Sequence, residues 1–151
     1  MPLSPDALFG AANMLAAVGW LLLAVAPATG RWAPALRRLS GMALPLVFAV
    51  AYVVLLALNW GPGGFSSLAQ VEELFSVREL LLAGWLHYLA FDLFVGGWIS
   101  ERAARLQMPF WLLLPILALT FMFGPAGLLA YALLRAVWRR RAAGPAAPAA
   151  A

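Results

Sequence analysis

A chain of 151 residues with 65% apolar and only 11% charged residues has too little polar surface for a water-soluble globule, since soluble domains carry about a quarter charged residues. Its net charge of +4 comes from arginine alone, placed at the ends of apolar runs rather than in a continuous stripe; that suits phosphate headgroups and argues against nucleic acid. The absence of cysteine excludes disulfides, thiolate metal sites and a Cys nucleophile.

The first apolar run, residues 6–26, follows Ser4-Pro5, a side-chain cap and a first-turn proline. A loop broken by Pro and Gly and holding Arg31, Arg37 and Arg38 leads to a second run, residues 41–60, about one bilayer crossing long. Gly61-Pro62-Gly63-Gly64 stops it. Residues 65–75 read as a short interfacial helix, with Ser67 and Gln70 as a capping box and Leu68, Val71, Leu74 and Phe75 on one face. A second capping box, Ser76 with Glu79, opens the third run over residues 77–99. A loop with Glu101, Arg102 and Arg105 then precedes a fourth run, residues 109–138, which is longer than one crossing needs and is interrupted at Phe123-Gly124-Pro125. Proline there removes a helical hydrogen bond and predicts a kink. Residues 141–151 read as a disordered tail.

The expected architecture is therefore all-α: one transmembrane domain over residues 1–140, a polytopic four-helix bundle with an interfacial helix before helix three and a kinked helix four. Four crossings place Arg139, Arg140 and Arg141 opposite the arginines of loops one and three, which leaves orientation open. A chain that turned back at Gly124-Pro125 would gather them on one side, but each half would be too short to span the bilayer. The composition, rich in Ala, Arg and Gly without Lys, suggests a bacterial inner membrane.

The third run holds the polar residues of most interest. His87 and Asp92 lie ~14 and ~21 Å past Arg78 at 1.5 Å per helical residue, inside the hydrocarbon layer. A carboxylate there costs about 2.5–3.5 kcal/mol on insertion scales and should face protein, a cavity or a ligand. Gly84, Tyr88, Asp92 and Gly96 share a face, while His87 stands about 140° away, flanked by Ala83 and Ala90. A direct pair is excluded, but the two can line two walls of one cavity. The bland alternative is that Asp92 locks the bundle through Tyr88, Asn13 or Thr120, and that His87 is a satisfied interhelical bonder. Asn13 most simply bonds another helix, and Arg78 and Glu79 sit at a helix start where Glu79 has a capping role. Trp85, with Tyr88 and Phe91, can contact a flat apolar ligand, although lipid or core contact is the commoner use of such rings. One histidine cannot build a multi-histidine di-iron site, and no phosphate-binding glycine loop is present.

The stretches Leu74-Phe75-Ser76-Val77-Arg78-Glu79, Gly84-Trp85-Leu86-His87-Tyr88-Leu89-Ala90-Phe91-Asp92 and Phe123-Gly124-Pro125 resemble the abscisic-acid-deficient-four-like family, over most of the chain. The resemblance implies a neoxanthin synthase-like isomerase, opening a 5,6-epoxide with loss of a polyene proton to give an allene and a tertiary alcohol, without a cofactor. On that reading His87, Asp92 and Tyr88 are the catalytic candidates, as base, acid and donor to the oxygen, and Trp85, Phe91, Asn13, Arg78 and Glu79 the substrate-binding ones; no metal site is expected. The expected partners are the lipid bilayer and a carotenoid or other apolar polyene, with no nucleic acid and with room for a homo-oligomer. The competing reading is a non-catalytic membrane subunit that binds lipid or pigment or stabilises a complex.

Overall fold

The cap at Ser4 forms as its sequence predicts: Oγ accepts from the Ala7 amide at 3.2 Å, and Pro5 occupies the first turn. The computed structural model describes residues 4–142, and every regular element among them is helical. Helix α1 (Pro5–Val25) ends in two short 3-10 turns, Ala26–Ala28 and Gly30–Trp32. Helix α2 (Ala33–Arg38) runs through a π-helical turn, Leu39–Ala43, into α3 (Leu44–Asn59). Then come α4 (Leu68–Ser76), α5 (Arg78–Arg105), α6 (Phe110–Phe123) and α7 (Pro125–Ala142).

Helix α5 is the axis of the bundle. Its 28 residues reach about 42 Å, more than the hydrocarbon thickness, and both Leu93 and Ile99 are fully buried. Helix α1 runs parallel to it, so that Asp6 meets Arg78, Asn13 meets Trp85, and Trp20 lies over Gly96. Helix α3 runs antiparallel, with Tyr52 beside His87 and Gly41 against Gly97. At that crossing a Cβ on Gly41 would stand 2.7 Å from the Gly97 Cα, so the two backbones touch. Small residues are what permit such an approach between apolar helices. The two stretches Pro5–Asn59 and Arg78–Arg105 are long and apolar enough to cross a membrane, whereas Phe110–Phe123 is apolar but shorter.

Three expectations are corrected. The fourth run is not one kinked helix over residues 109–138. It breaks at Gly124, and α7 folds back antiparallel on α6: Gly127 packs directly on Thr120, and Trp138 Nε1 donates to the Leu106 carbonyl at 3.2 Å. In a continuous helix residues seven apart stand about 10 Å from each other. Pro125 supplies no amide to continue α6 and serves instead as the first residue of α7. Secondly, Ser76 does not cap α5. It closes α4, its hydroxyl donating to the Glu73 carbonyl at 2.6 Å, and the extended Val77 precedes α5. Glu79 keeps only its place in the first turn. Thirdly, of the expected tail, Arg141 and Ala142 continue α7, and the remainder, 143–151, lies outside the described residues.

The hairpin decides where the charge goes. Arg31, Arg37, Arg38, Arg102, Arg105, Arg135, Arg139, Arg140 and Arg141 gather at one end of the bundle, with Glu101 the sole acid there among the described residues. Arg78 stands at the other end with Asp6, Glu72, Glu73 and Glu79.

Candidate functional site

Asp92 occupies the middle of α5, and its residue is 7% exposed. The face it shares with Gly84, Tyr88 and Gly96 is closed by three neighbours: Trp20 and Leu23 lie on Gly96, Phe75 lies on Gly84, and the α6–α7 turn lies on Asp92 itself. A Cβ on Gly124 would overlap Asp92 Oδ1. Asp92 Oδ2 is buried without a hydrogen-bond partner. An unsatisfied buried acceptor costs about 1–3 kcal/mol, so its retention calls for a reason. The amino end of α7 begins at this point, with the Leu128 amide donating to the Gly124 carbonyl at 3.1 Å. Its dipole presents partial positive charge to the carboxyl.

Tyr88, one turn earlier, places its hydroxyl beside the Asp92 carboxyl and donates to the Met122 carbonyl at 3.3 Å. It also lines a groove between α1 and α5 of about 500 Å³. Trp85 and Phe9 form the aromatic wall, their ring centroids 5.5 Å apart, with Tyr88 5.3 Å from Trp85. Trp85 Nε1 donates to Asn13 Oδ1 at 3.0 Å, while Asn13 Nδ2 donates to the Phe9 carbonyl at 2.9 Å. Asn13 thus fixes the indole rather than bonding Asp92. The mouth of the groove is polar: Arg78 Nη2 and Asp6 Oδ1 form an ion pair of 2.6 Å. Asp92 itself does not line the groove, and Tyr88 is the residue that connects the two; an apolar slot with one polar end and a tyrosine leading to a buried carboxyl suits a long apolar molecule carrying an oxygen function.

His87 does not join this site and is not buried. It is exposed on the α3 side of α5, its ring 5.7 Å from Tyr52 and 4.6 Å from Phe91. There it lines a separate hollow of about 250 Å³ with Phe65, Leu74 and Phe75. The angular separation along the helix turns the two groups toward different neighbours, and the Phe75 ring, seated on Gly84, borders both hollows and divides them. Phe91 goes with His87, away from Trp85. Glu79 lines neither hollow. Thr120 is fully buried but donates to the Ile116 carbonyl at 2.7 Å, so it too leaves Asp92 alone.

Phe9, Asp6, Phe75 and the Gly124 turn escaped the sequence reading of the site. Asp6 and Phe9 lie 72 and 76 residues from their partners Arg78 and Trp85, a pairing that no local periodicity encodes. Gly124 did carry a signal, the Gly-Pro break, but in one dimension it registers as a kink.

Among the described residues no cluster of three metal-ligating side chains occurs. The family model described as ABA DEFICIENT 4-like matches residues 7–131, most of the chain. No curated protein and no solved structure matches it.

Proposed function

Since the chain belongs to the ABA DEFICIENT 4-like family, we propose that it is a membrane-embedded carotenoid- or isoprenoid-modifying isomerase that holds a polyene in the α1–α5 groove and moves a proton at Asp92. The observation that carries this reading is the Asp92 carboxyl, buried at mid-helix with one oxygen unpartnered, beside a tyrosine that also lines the groove.

The chemistry is proton transfer alone. Opening a 5,6-epoxide breaks one C–O bond, and the oxygen takes a proton and becomes a tertiary alcohol; the neighbouring polyene carbon loses a proton, and the electron pair of that C–H bond forms a new double bond to the carbon that lost oxygen, which beside the retained double bond makes an allene. Product and substrate have the same atoms and electrons, so no redox cofactor enters. A single carboxyl has the two oxygens this needs, one giving a proton and the other receiving one, and it ends as it began. Tyr88 holds the substrate oxygen. Trp85 and Phe9 grip the polyene through their faces, and Arg78 with Asp6 meets a polar end group at the mouth. His87 has no step in this scheme.

In the membrane, α1, α3 and α5 cross, and α6 with α7 forms a hairpin that enters and leaves on one side. Helix α6, at 14 residues, reaches only about 21 Å, which brings its turn to the depth of Asp92. Non-helical backbone at that depth is tolerated where protein covers it, and Gly124 is buried. The arginine-rich end then faces the cytoplasm.

The test is expression in a host that accumulates a 5,6-epoxy carotenoid, with pigments separated for wild type, Asp92→Asn and Tyr88→Phe. A new pigment of unchanged mass is expected with wild type and absent with Asp92→Asn at equal protein level. The second reading, a non-catalytic pigment- or lipid-binding subunit, draws on the contact of Asp92 with the hairpin turn, which a purely structural carboxylate would also make. Copurification of unaltered pigment with wild type and Asp92→Asn alike would establish it and overturn the enzyme.

A further inference from the structure

A third hollow, of about 590 Å³, opens on the arginine-rich end between α2, the π-helical turn and α5, well away from Asp92. Arg37, Arg38 and Arg105 form its rim. Its floor is the Gly41–Gly97 contact, and Phe94, Met42 and Trp98 continue it toward the bundle's apolar belt. Among the described residues Glu101 is the only acid lining it, and Arg105 Nη2 holds Glu101 Oε1 at 2.5 Å. Among the described residues neither Arg37 nor Arg38 forms an ion pair.

Arg37 is also oriented. Its Nε donates to Oγ of the fully buried Ser100 at 3.1 Å, which fixes the guanidinium plane and leaves both terminal nitrogens to point elsewhere. A guanidinium fixed by one edge is preorganised for two-point contact with a phosphate. The charge is cationic at the rim and the surface apolar below it, so the hollow has the polarity of one lipid molecule, head outward. A free phosphate would use the rim and leave the apolar floor empty. A second copy of the chain would bring its own arginines against these.

We infer that this hollow binds an anionic phospholipid of the leaflet on the arginine-rich side, its phosphodiester on Arg37 and Arg38 and an acyl chain descending past Gly97 along Phe94 and Met42. Basic pockets between membrane helices provide this kind of headgroup recognition. The assignment stands whether or not the α1–α5 groove is catalytic, because the two share no residue.

The experiment is thermal unfolding of the purified protein in neutral detergent, titrated with short-chain phosphatidylglycerol, with phosphatidylcholine of the same chain length, and with inorganic phosphate. Phosphatidylglycerol is expected to raise the midpoint saturably while the other two do not. Arg38 is exposed, and its side chain forms no ion pair among the described residues, so Arg38→Gln should fold normally and weaken the apparent affinity about five-fold. Phe94→Ala should weaken it without altering charge. Equal shifts with phosphatidylcholine would overturn the headgroup assignment, and equal shifts with inorganic phosphate would overturn the lipid. Full response to phosphatidylglycerol in Arg38→Gln would remove the site from this hollow.

Discussion

Gly124 rests against the Asp92 carboxyl so closely that no side chain fits between them. One is the tip of a hairpin and the other the midpoint of the central helix, so the polar centre of the protein and the end of its last structural unit coincide. Disturbing either should be felt at the other.

Gly124→Ala should lower stability by about 1–3 kcal/mol, since the added methyl must displace the turn or the carboxyl. Thermal unfolding in detergent reads this out. The loss should shrink when Asp92→Ala is combined with it, a non-additivity expected of residues in contact. A strictly additive double variant would mean that the two do not touch.

Two other glycines should differ for a physical reason. A methyl at Gly97 meets the backbone of Gly41, which cannot step aside, whereas one at Gly84 meets the ring of Phe75, which can. Gly97→Ala is expected to cost about 1–3 kcal/mol and Gly84→Ala distinctly less. Unfolding midpoints for the two variants, side by side, decide it.

The hairpin predicts which residues share a side of the membrane. The chain has no cysteine, so single substitutions report without background. Gln107→Cys and Arg140→Cys should react together with a membrane-impermeant thiol reagent, and Ser66→Cys should react from the opposite side. A fourth crossing would instead place Arg140→Cys with Ser66→Cys.

His87→Ala should leave pigment conversion intact and stability within about 0.5 kcal/mol, as an exposed residue far from such features. Tyr88→Phe gives up the bond to the Met122 carbonyl, about 0.5–1.5 kcal/mol, and should slow conversion while the protein still retains pigment. Chromatography and unfolding on the same preparations separate the two effects. Loss of conversion in His87→Ala alone would return the histidine to the site.

Much of the helical layout was legible because local rules govern it. The Ser4-Pro5 start and Ser67 beside Gln70 are contacts within four residues, and both form. Asp92 was legible as a buried group because a carboxylate amid apolar residues has few other places to go. What failed were questions of partners. Ser76 had two helices it could serve, and its hydroxyl satisfied the end of α4. His87 lies as deep along α5 as a buried residue would, yet depth says nothing about azimuth, and its side of α5 is only partly covered. The fourth run was long enough to cross and carried a single break, so length favoured a span. Its reversal depends on Gly127 fitting against Thr120 and on Trp138 reaching Leu106, contacts that exist only once the chain has turned.

The reversal also lightens the work of assembly. On the proposed topology of three crossings and a hairpin, the chain after α5 never has to carry Arg135, Arg139, Arg140 or Arg141 through the bilayer. Between α1 and the end of α7, the segment that must be translocated is the one joining α3 to α5, and its charges are Glu72, Glu73 and Glu79 against Arg78. On that same topology, a membrane potential negative on the arginine-rich side helps export the acidic segment and opposes export of every other loop, so the electric field favours that orientation over its inverse.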